Sequence, residues 1–273
     1  MSLPLHRALG PFEVFKYGVY LLLALNIFAF LFREWDMSAH TFSADTTVGD
    51  LISMFAATID TASWVVLLLL FEFETSWVPA MKHKPRRLWL AHWVRAGCYG
   101  LIVYAFYGYA ARCADLYGAE PRAGALLCEL AAEQPSFMLG LDELVTVTGR
   151  NCAELEDGSD LMNLARMQGN VVSSSERLAE ARALAWTDVI NAGLWILVVL
   201  MLELDLRLKA RHHLGGRTGK VVRGFTIMIY LGLLACGIYW GLEGTFLDFW
   251  DAFLWLLAFA AIEMNVFRVA GKA

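Results

Sequence analysis

"DTASWVVLLLLFEFET", residues 60–75, sets three carboxylates, Asp60, Glu72 and Glu74, in and around a run otherwise suited to lipid. An ionised side chain inside a bilayer-spanning helix is costly. It is therefore paired with an opposite charge, turned toward water, or kept for a function.

The rest of the chain supports a membrane setting. It has 273 residues, 58% of them hydrophobic and 18% charged, with a mean hydropathy of +0.52. Soluble domains are less apolar and more charged, so one polytopic domain suits this length. The net charge of −5 shows no basic excess, which excludes nucleic acid as an expected partner. The expected surroundings are the lipid bilayer.

A hydrocarbon core of about 30 Å takes roughly 20 helical residues to cross. Six segments qualify, near 13–33, 52–74, 89–111, 186–206, 222–242 and 247–267. The first is followed by "REWD" and not by a small-residue cleavage site, so it is expected to stay as a transmembrane helix. "MKHKPRR" (81–87) and "RLKARHHLGGRTGKVVR" (207–223) are basic loops, whereas the loops after the first and fifth spans lean acidic. Basic loops remain cytoplasmic. Both termini are then cytoplasmic, in a bacterial-type inner (plasma) membrane, and 112–185 faces outward. Trp77, Trp89, Trp93, Trp186 and Trp250 lie near span ends, as an interfacial aromatic belt would.

Segment 112–185 separates spans 1–3 (residues 1–111) from spans 4–6 (186–273) and is too long for a bare loop. "GALLCELAAEQ" and "SSSERLAEARALAW" have helical composition, and Ser173 with Glu176 matches a capping box. A cap of three or four short helices is expected, its last helix running into the fourth span. Cys113, Cys128 and Cys152 fall here, where an oxidising compartment allows one disulfide. Three cysteines permit three pairings; Cys128 with Cys152 is the one favoured. Cys98 and Cys236 lie within spans and read as small packing residues.

Aligned on a tryptophan, the even-numbered spans repeat. "FAATIDTASWVVLLLLFEFE", "WTDVINAGLWILVVLMLELD" and "FLDFWDAFLWLLAFAAIEMN" place Trp64, Trp195 and Trp255 in register. Four residues before each comes Asp60, Asn191 or Asp251. Eight after comes Glu72, Glu203 or Glu263. Ten after comes Glu74, Asp205 or Asn265. Lys16, Arg95 and Arg223 occupy roughly corresponding depths in the odd spans. The expected fold is therefore all-α, with six transmembrane helices arranged as three related hairpins. Twelve residues of helix rise about 18 Å, so the Asp/Asn layer and the Glu layer both fall within or at the edge of the lipid core. The residue two beyond each Glu points about 200° away from it.

Two accounts of these acids stand side by side. In the structural one, Glu72 pairs with Lys16, Glu203 with Arg95 and Glu263 with Arg223, fixing hairpin register. In the functional one, Asp60, Asp251, Asn191, Glu72, Glu203 and Glu263 line a path for cations or protons. Asp60 weighs most in the second account, being deep and without a basic residue at its level. The functions that follow are a cation or proton channel, transporter or ion-linked sensor, or else a non-catalytic subunit whose cap binds a partner. A homo-oligomer or a place in a membrane complex suits either. "GIYWG" (237–241) is a GxxxG packing motif that could serve within the chain or between subunits. No nucleophile elbow, HExxH or phosphate-cradling loop occurs, so no enzyme, metal or cofactor is implied. His212–His213 sits in a basic loop, and His92 reads as an interface residue.

Overall fold

A computed structural model describes residues 10–41, 46–74, 85–122, 126–155, 160–167, 169–210 and 217–270. The basic loop 81–87, Trp77 and His212–His213 lie wholly or largely outside them. So do the side chains of Glu203, Asp205, Glu263 and Asn265.

The helices are α1 (Pro11–Thr41), α2 (Val48–Met54), α3 (Ala56–Glu72), α4 (Pro85–Leu116), α5 (Cys152–Leu155), α6 (Ser175–Ala210), α7 (Arg217–Glu243) and α8 (Phe246–Ala270). Six of them close a ring: α1 packs on α3, α3 on α4, α4 on α6, α6 on α7, α7 on α8, and α8 on α1. Chain neighbours are thus spatial neighbours, as short connections favour. Among the described residues, three helices are long and apolar enough to cross a membrane, α1, α6 and α7; a fourth crossing is counted if α2 and α3 are taken together. Leu21, Leu25, Phe28 and Phe32 on α1 and Val221, Met228 and Leu231 on α7 point outward and exposed. Helices so apolar are compatible with a membrane protein.

The second predicted span is not one rod. It bends by 71° between α2 and α3, with the break at Phe55 (φ −100°, ψ 27°). Phe55 gives α3 no side-chain cap. Glu34 of α1 supplies one instead, accepting from the backbone N–H of Ala57 at 2.9 Å and of Thr58 at 3.2 Å, and from the Thr58 hydroxyl at 2.5 Å. A carboxylate at a helix N-terminus satisfies orphan donors and meets the positive end of the helix dipole. The bend also requires α4 to come close. Gly108 allows it, since a Cβ there would lie 3.2 Å from both the Ser53 Cα and the Ala56 Cβ.

The cap holds short helical pieces where expected, a 3-10 helix at Leu127–Ala132 and the single turn α5, but they are not its framework. That framework is a five-stranded sheet of order β1-β4-β5-β2-β3, in which β2 and β5 run parallel. Its strands are β1 (Glu120–Pro121), β2 (Ser136–Gly140), β3 (Glu143–Thr146), β4 (Leu161–Asn163) and β5 (Val171–Ser174). The fold is therefore mostly helical but not all-α. Runs of two to five residues are too short for periodicity to separate strand from helix. Side chains alternate across the sheet. Met138 and Val171 join the ends of α1, α4 and α6 through Met37, Leu116 and Leu178. Phe137 and Val172 face the other way, against Leu127, Val147 and Cys152. On that outer side Cys128 and Cys152 form the expected disulfide, while Cys98, Cys113 and Cys236 are free and buried.

The capping residue of α6 is Ser174, whose hydroxyl accepts from the Arg177 N–H at 3.3 Å; the expected Ser173 sits fully buried in β5. From there α6 runs unbroken into the bundle, 36 residues in all. The GxxxG motif packs within the chain. A Cβ at Gly237 would meet Ala252 at 3.5 Å, and one at Gly241 would meet the Phe249 ring at 3.1 Å. Its small residues serve the α7–α8 contact.

The disulfide closes a sequence separation of 24 residues. Replacing both cysteines by serine should destabilise the cap by about 3 kcal/mol. Hydrogen exchange of the β2 and β5 amides should accelerate accordingly, and unchanged exchange would contradict this account of the cap's outer core.

Candidate functional site

The three aligned tryptophans meet. Trp64 on α3, Trp195 on α6 and Trp255 on α8 have ring centroids 5.7, 6.4 and 6.1 Å apart. Phe259 adds a ring 4.8 Å from Trp195. Alternate helices of the ring thus send one indole each to a shared centre. Around it lies an apolar cluster that includes Tyr20, Leu23, Leu68, Val198 and Leu254.

One turn along the same helices, toward the cap, the residues four before each tryptophan face a polar cavity of about 70 Å³. A water needs roughly 10–15 Å³ on this measure, so the space suits several. Asp60, Asn191 and Asp251 line it. The Trp64 indole N–H donates to Asp60 at 3.0 Å, and the Tyr109 hydroxyl bonds the same carboxyl. Asp251 accepts from the Asn26 amide at 2.8 Å and lies close to the Trp255 indole. In α3 the aspartate and tryptophan one turn apart are therefore bonded to each other, and in α8 the corresponding pair lie close together.

The cavity holds more charge than the repeat implied. Asp188 and Asp248, on the next helical turn toward the cap, join Asp60 and Asp251, and Asp142 enters from the β2–β3 turn. Arg33 and Arg112 are the cationic lining residues. Both arginines grip Asp142, Arg33 at 3.1 Å and Arg112 at 2.7 Å. Arg33 also reaches Asp248 at 3.0 Å and the Thr245 hydroxyl at 3.1 Å, and Arg112 donates to the Leu141 carbonyl. Burial pushes the Asp142 carboxyl up, but the two guanidinium charges outweigh that and hold it below the ordinary aspartate value. Its clamp is present above the unfolded-state pKa of about 4 and is lost only as pH falls through the lowered folded value. Asp188 is different. Among the described residues its carboxylate has no hydrogen-bond partner, although it lines the cavity.

Arg33, Asn26, Arg112, Asp142, Asp188 and Asp248 were not singled out by the sequence patterns. Asp188 and Asp248 had a usable signal: each lies seven residues before its tryptophan, on the face already marked by Asn191 and Asp251. Asp142 had none, because only the cap's fold carries it there.

The other end of the bundle is occupied by ion pairs. Lys16 bonds Glu72 at 2.6 Å, both nearly fully buried, and the Tyr17 hydroxyl donates to the same oxygen at 3.2 Å. Arg95 is bonded not to Glu203, as expected, but to Glu74 at 2.6 Å. The reason lies in helix geometry. α3 sits between α1 and α4, so Glu72 faces Lys16 on one flank. Glu74, two residues beyond the end of α3, faces Arg95 on the other. Arg223 is exposed, and its pairing with Glu263 lies outside the described side chains.

No family model, curated protein or solved structure is significantly similar to this chain.

Asp142→Asn removes the charge that both arginines share. After allowance for partial exposure the loss should be about 2 kcal/mol. Limited proteolysis should then cut the β2–β3 turn faster than in the parent protein. Equal cleavage rates would show that the clamp does not hold the cap down.

Proposed function

We propose that this chain is a six-span membrane protein of three related hairpins and that the polar cavity near the cap is the proton- or cation-binding site of an ion-linked transporter or sensor. Both termini lie in the cytoplasm of a bacterial-type inner membrane and the cap lies outside. The disulfide fits a cap in an oxidising compartment, and the basic loops fit the cytoplasmic side.

The observation that carries the proposal is the charge balance of the cavity. Among the described residues, Asp60, Asp142, Asp188, Asp248 and Asp251 share the cavity lining with two cationic side chains, Arg33 and Arg112. A buried carboxyl excess must be balanced by protons or by bound cations. Among the described residues the carboxylates are spread around the walls, not gathered three to a point as a metal ion would need. That layout suits protons better. Asp188, without a hydrogen-bond partner among the described residues, is the group best placed to take up and release one.

The tryptophan cluster and the apolar layer beyond it separate this cavity from the Lys16–Glu72 pair. Such a barrier suits a gated device more than an open pore. Glu72 and Glu74 act structurally on this proposal, each held by a basic residue. A purely structural protein is the second reading, and those two ion pairs are what favour it.

Flux in proteoliposomes decides between them. With an internal pH-sensitive dye, the parent protein should pass protons under an imposed gradient. Asp188→Asn should slow that flux by about a hundredfold while the protein still elutes as folded. A sensor would instead show a pH-dependent change in tryptophan emission that Asp188→Asn abolishes. A parent protein silent in both measurements leaves the structural reading standing.

A further inference from the structure

The chain interrupts its helix at Phe55 and restarts it beside the cavity. Backbone bonding runs up to the break and resumes after it, with the Phe55 N–H on the Leu51 carbonyl and the Ile59 N–H on the Phe55 carbonyl, both at 3.0 Å. Between them the Ala57 and Thr58 N–H groups are answered from α1, by the Glu34 carboxylate. Ala57, Asp60 and Thr61, on the first turns of α3, line the cavity, and Asp60 accepts from Trp64 one turn on. We infer that Glu34 is a positioning residue for the cavity: by losing and regaining a proton it tightens and loosens the start of α3, and with it the place of Asp60 in the cavity wall. This rests on the reading of the cavity as a proton site.

The chemistry follows from what holds the Glu34 carboxylate. A helix is ordinarily capped by a small polar side chain at its own N-cap. Phe55 gives no such cap, and its replacement is an ionisable group from another helix. Glu34 is 4% exposed. It makes no ion pair among the described residues, and its three hydrogen bonds come from neutral donors, two N–H groups and the Thr58 hydroxyl. The charged and titratable groups around it are committed elsewhere or share its sign. Arg33, beside it on α1, is bound by Asp142 and Asp248. Asp142 acts on it from the β2–β3 turn as a like charge. Tyr109 faces it from α4 and bonds Asp60. On α8, Asp248 and Asp251 are turned to Arg33 and Asn26, and Glu143 of β3 is exposed.

As a carboxylate, Glu34 accepts all three bonds and meets the positive end of the α3 dipole. Protonated, it gives up the charge and part of its accepting capacity. The turn it holds lies at the 71° bend, and helix ends open more readily than helix interiors. Thr58 is partly exposed, so water reaches the hydroxyl end of the contact to supply and accept the proton.

Hydrogen exchange of the peptide covering residues 56–62, followed in nanodiscs between about pH 5 and pH 9 and corrected for the intrinsic rate, tests the assignment. Protection in the parent protein should be high above a midpoint and fall by about tenfold as pH drops through it. Glu34→Gln should give the low value at every pH. Thr58→Val keeps the acid but removes one donor to its charged form, so the midpoint should rise by about one pH unit. A cap without a proton step would instead lose protection equally at all pH values. Asp60→Asn should leave the midpoint in place. Protection that does not vary with pH in the parent, a midpoint that survives Glu34→Gln, one that Thr58→Val fails to raise, or one that moves with Asp60→Asn overturns the assignment. If Glu34→Gln does not fold, Thr58→Val decides alone. Exchange is read without flux. A parent that passes protons but lacks the midpoint defeats this inference and spares the cavity reading, whereas a midpoint in a parent silent in flux and emission defeats the cavity reading instead.

Discussion

Asp142 enters the mouth of the helix bundle from a cap turn and is met by Arg33 of α1 and Arg112 of α4. A carboxylate carried to that depth without partners would cost several kcal/mol. With them, it becomes the bond that ties α1, α4 and the sheet into one body. The same contact orients the two guanidiniums over the cavity, and Arg33 extends it to Asp248 at the start of α8. The cavity, its closure and the seating of the cap all follow from this three-residue clamp.

Below the clamp the molecule changes character within a few turns. Polar walls give way to three indoles in mutual contact and then to aliphatic packing. The Trp64 indole bonds the aspartate above it and Trp255 lies close to Asp251, so the apolar plug and the polar cavity are built from the same helical turns. A change in charge on Asp60 or Asp251 would be felt first by its tryptophan. That coupling gives the cavity a direct mechanical link to the packing that closes it.

The two layers of acid meet different physics. Near the Lys16 end, Glu72 and Glu74 each have a basic residue on the neighbouring helix they face, and the charges are spent on holding helices in register. Near the cap, carboxylates outnumber bases and share a space large enough for water. Local supply of counter-charge, more than depth in the bundle, separates a structural acid from one available for chemistry.

Much of this plan was legible in the residues themselves. The spacing of Trp64, Trp195 and Trp255 marked the inward face of three helices, because a period of 3.6 ties sequence distance to direction. The pairing of Glu72 with Lys16 and of Cys128 with Cys152 could also be anticipated. The sheet could not, since its strands are too short to show a period and are held by partners distant in sequence. Nor could the bend at Phe55, which depends on a carboxylate from another helix and on the close approach at Gly108. Helix periodicity determines which way a side chain points. Only the packed chain decides what it meets, and here that decision placed Asp142 between two arginines and left Asp188 facing the cavity without a hydrogen-bond partner among the described residues.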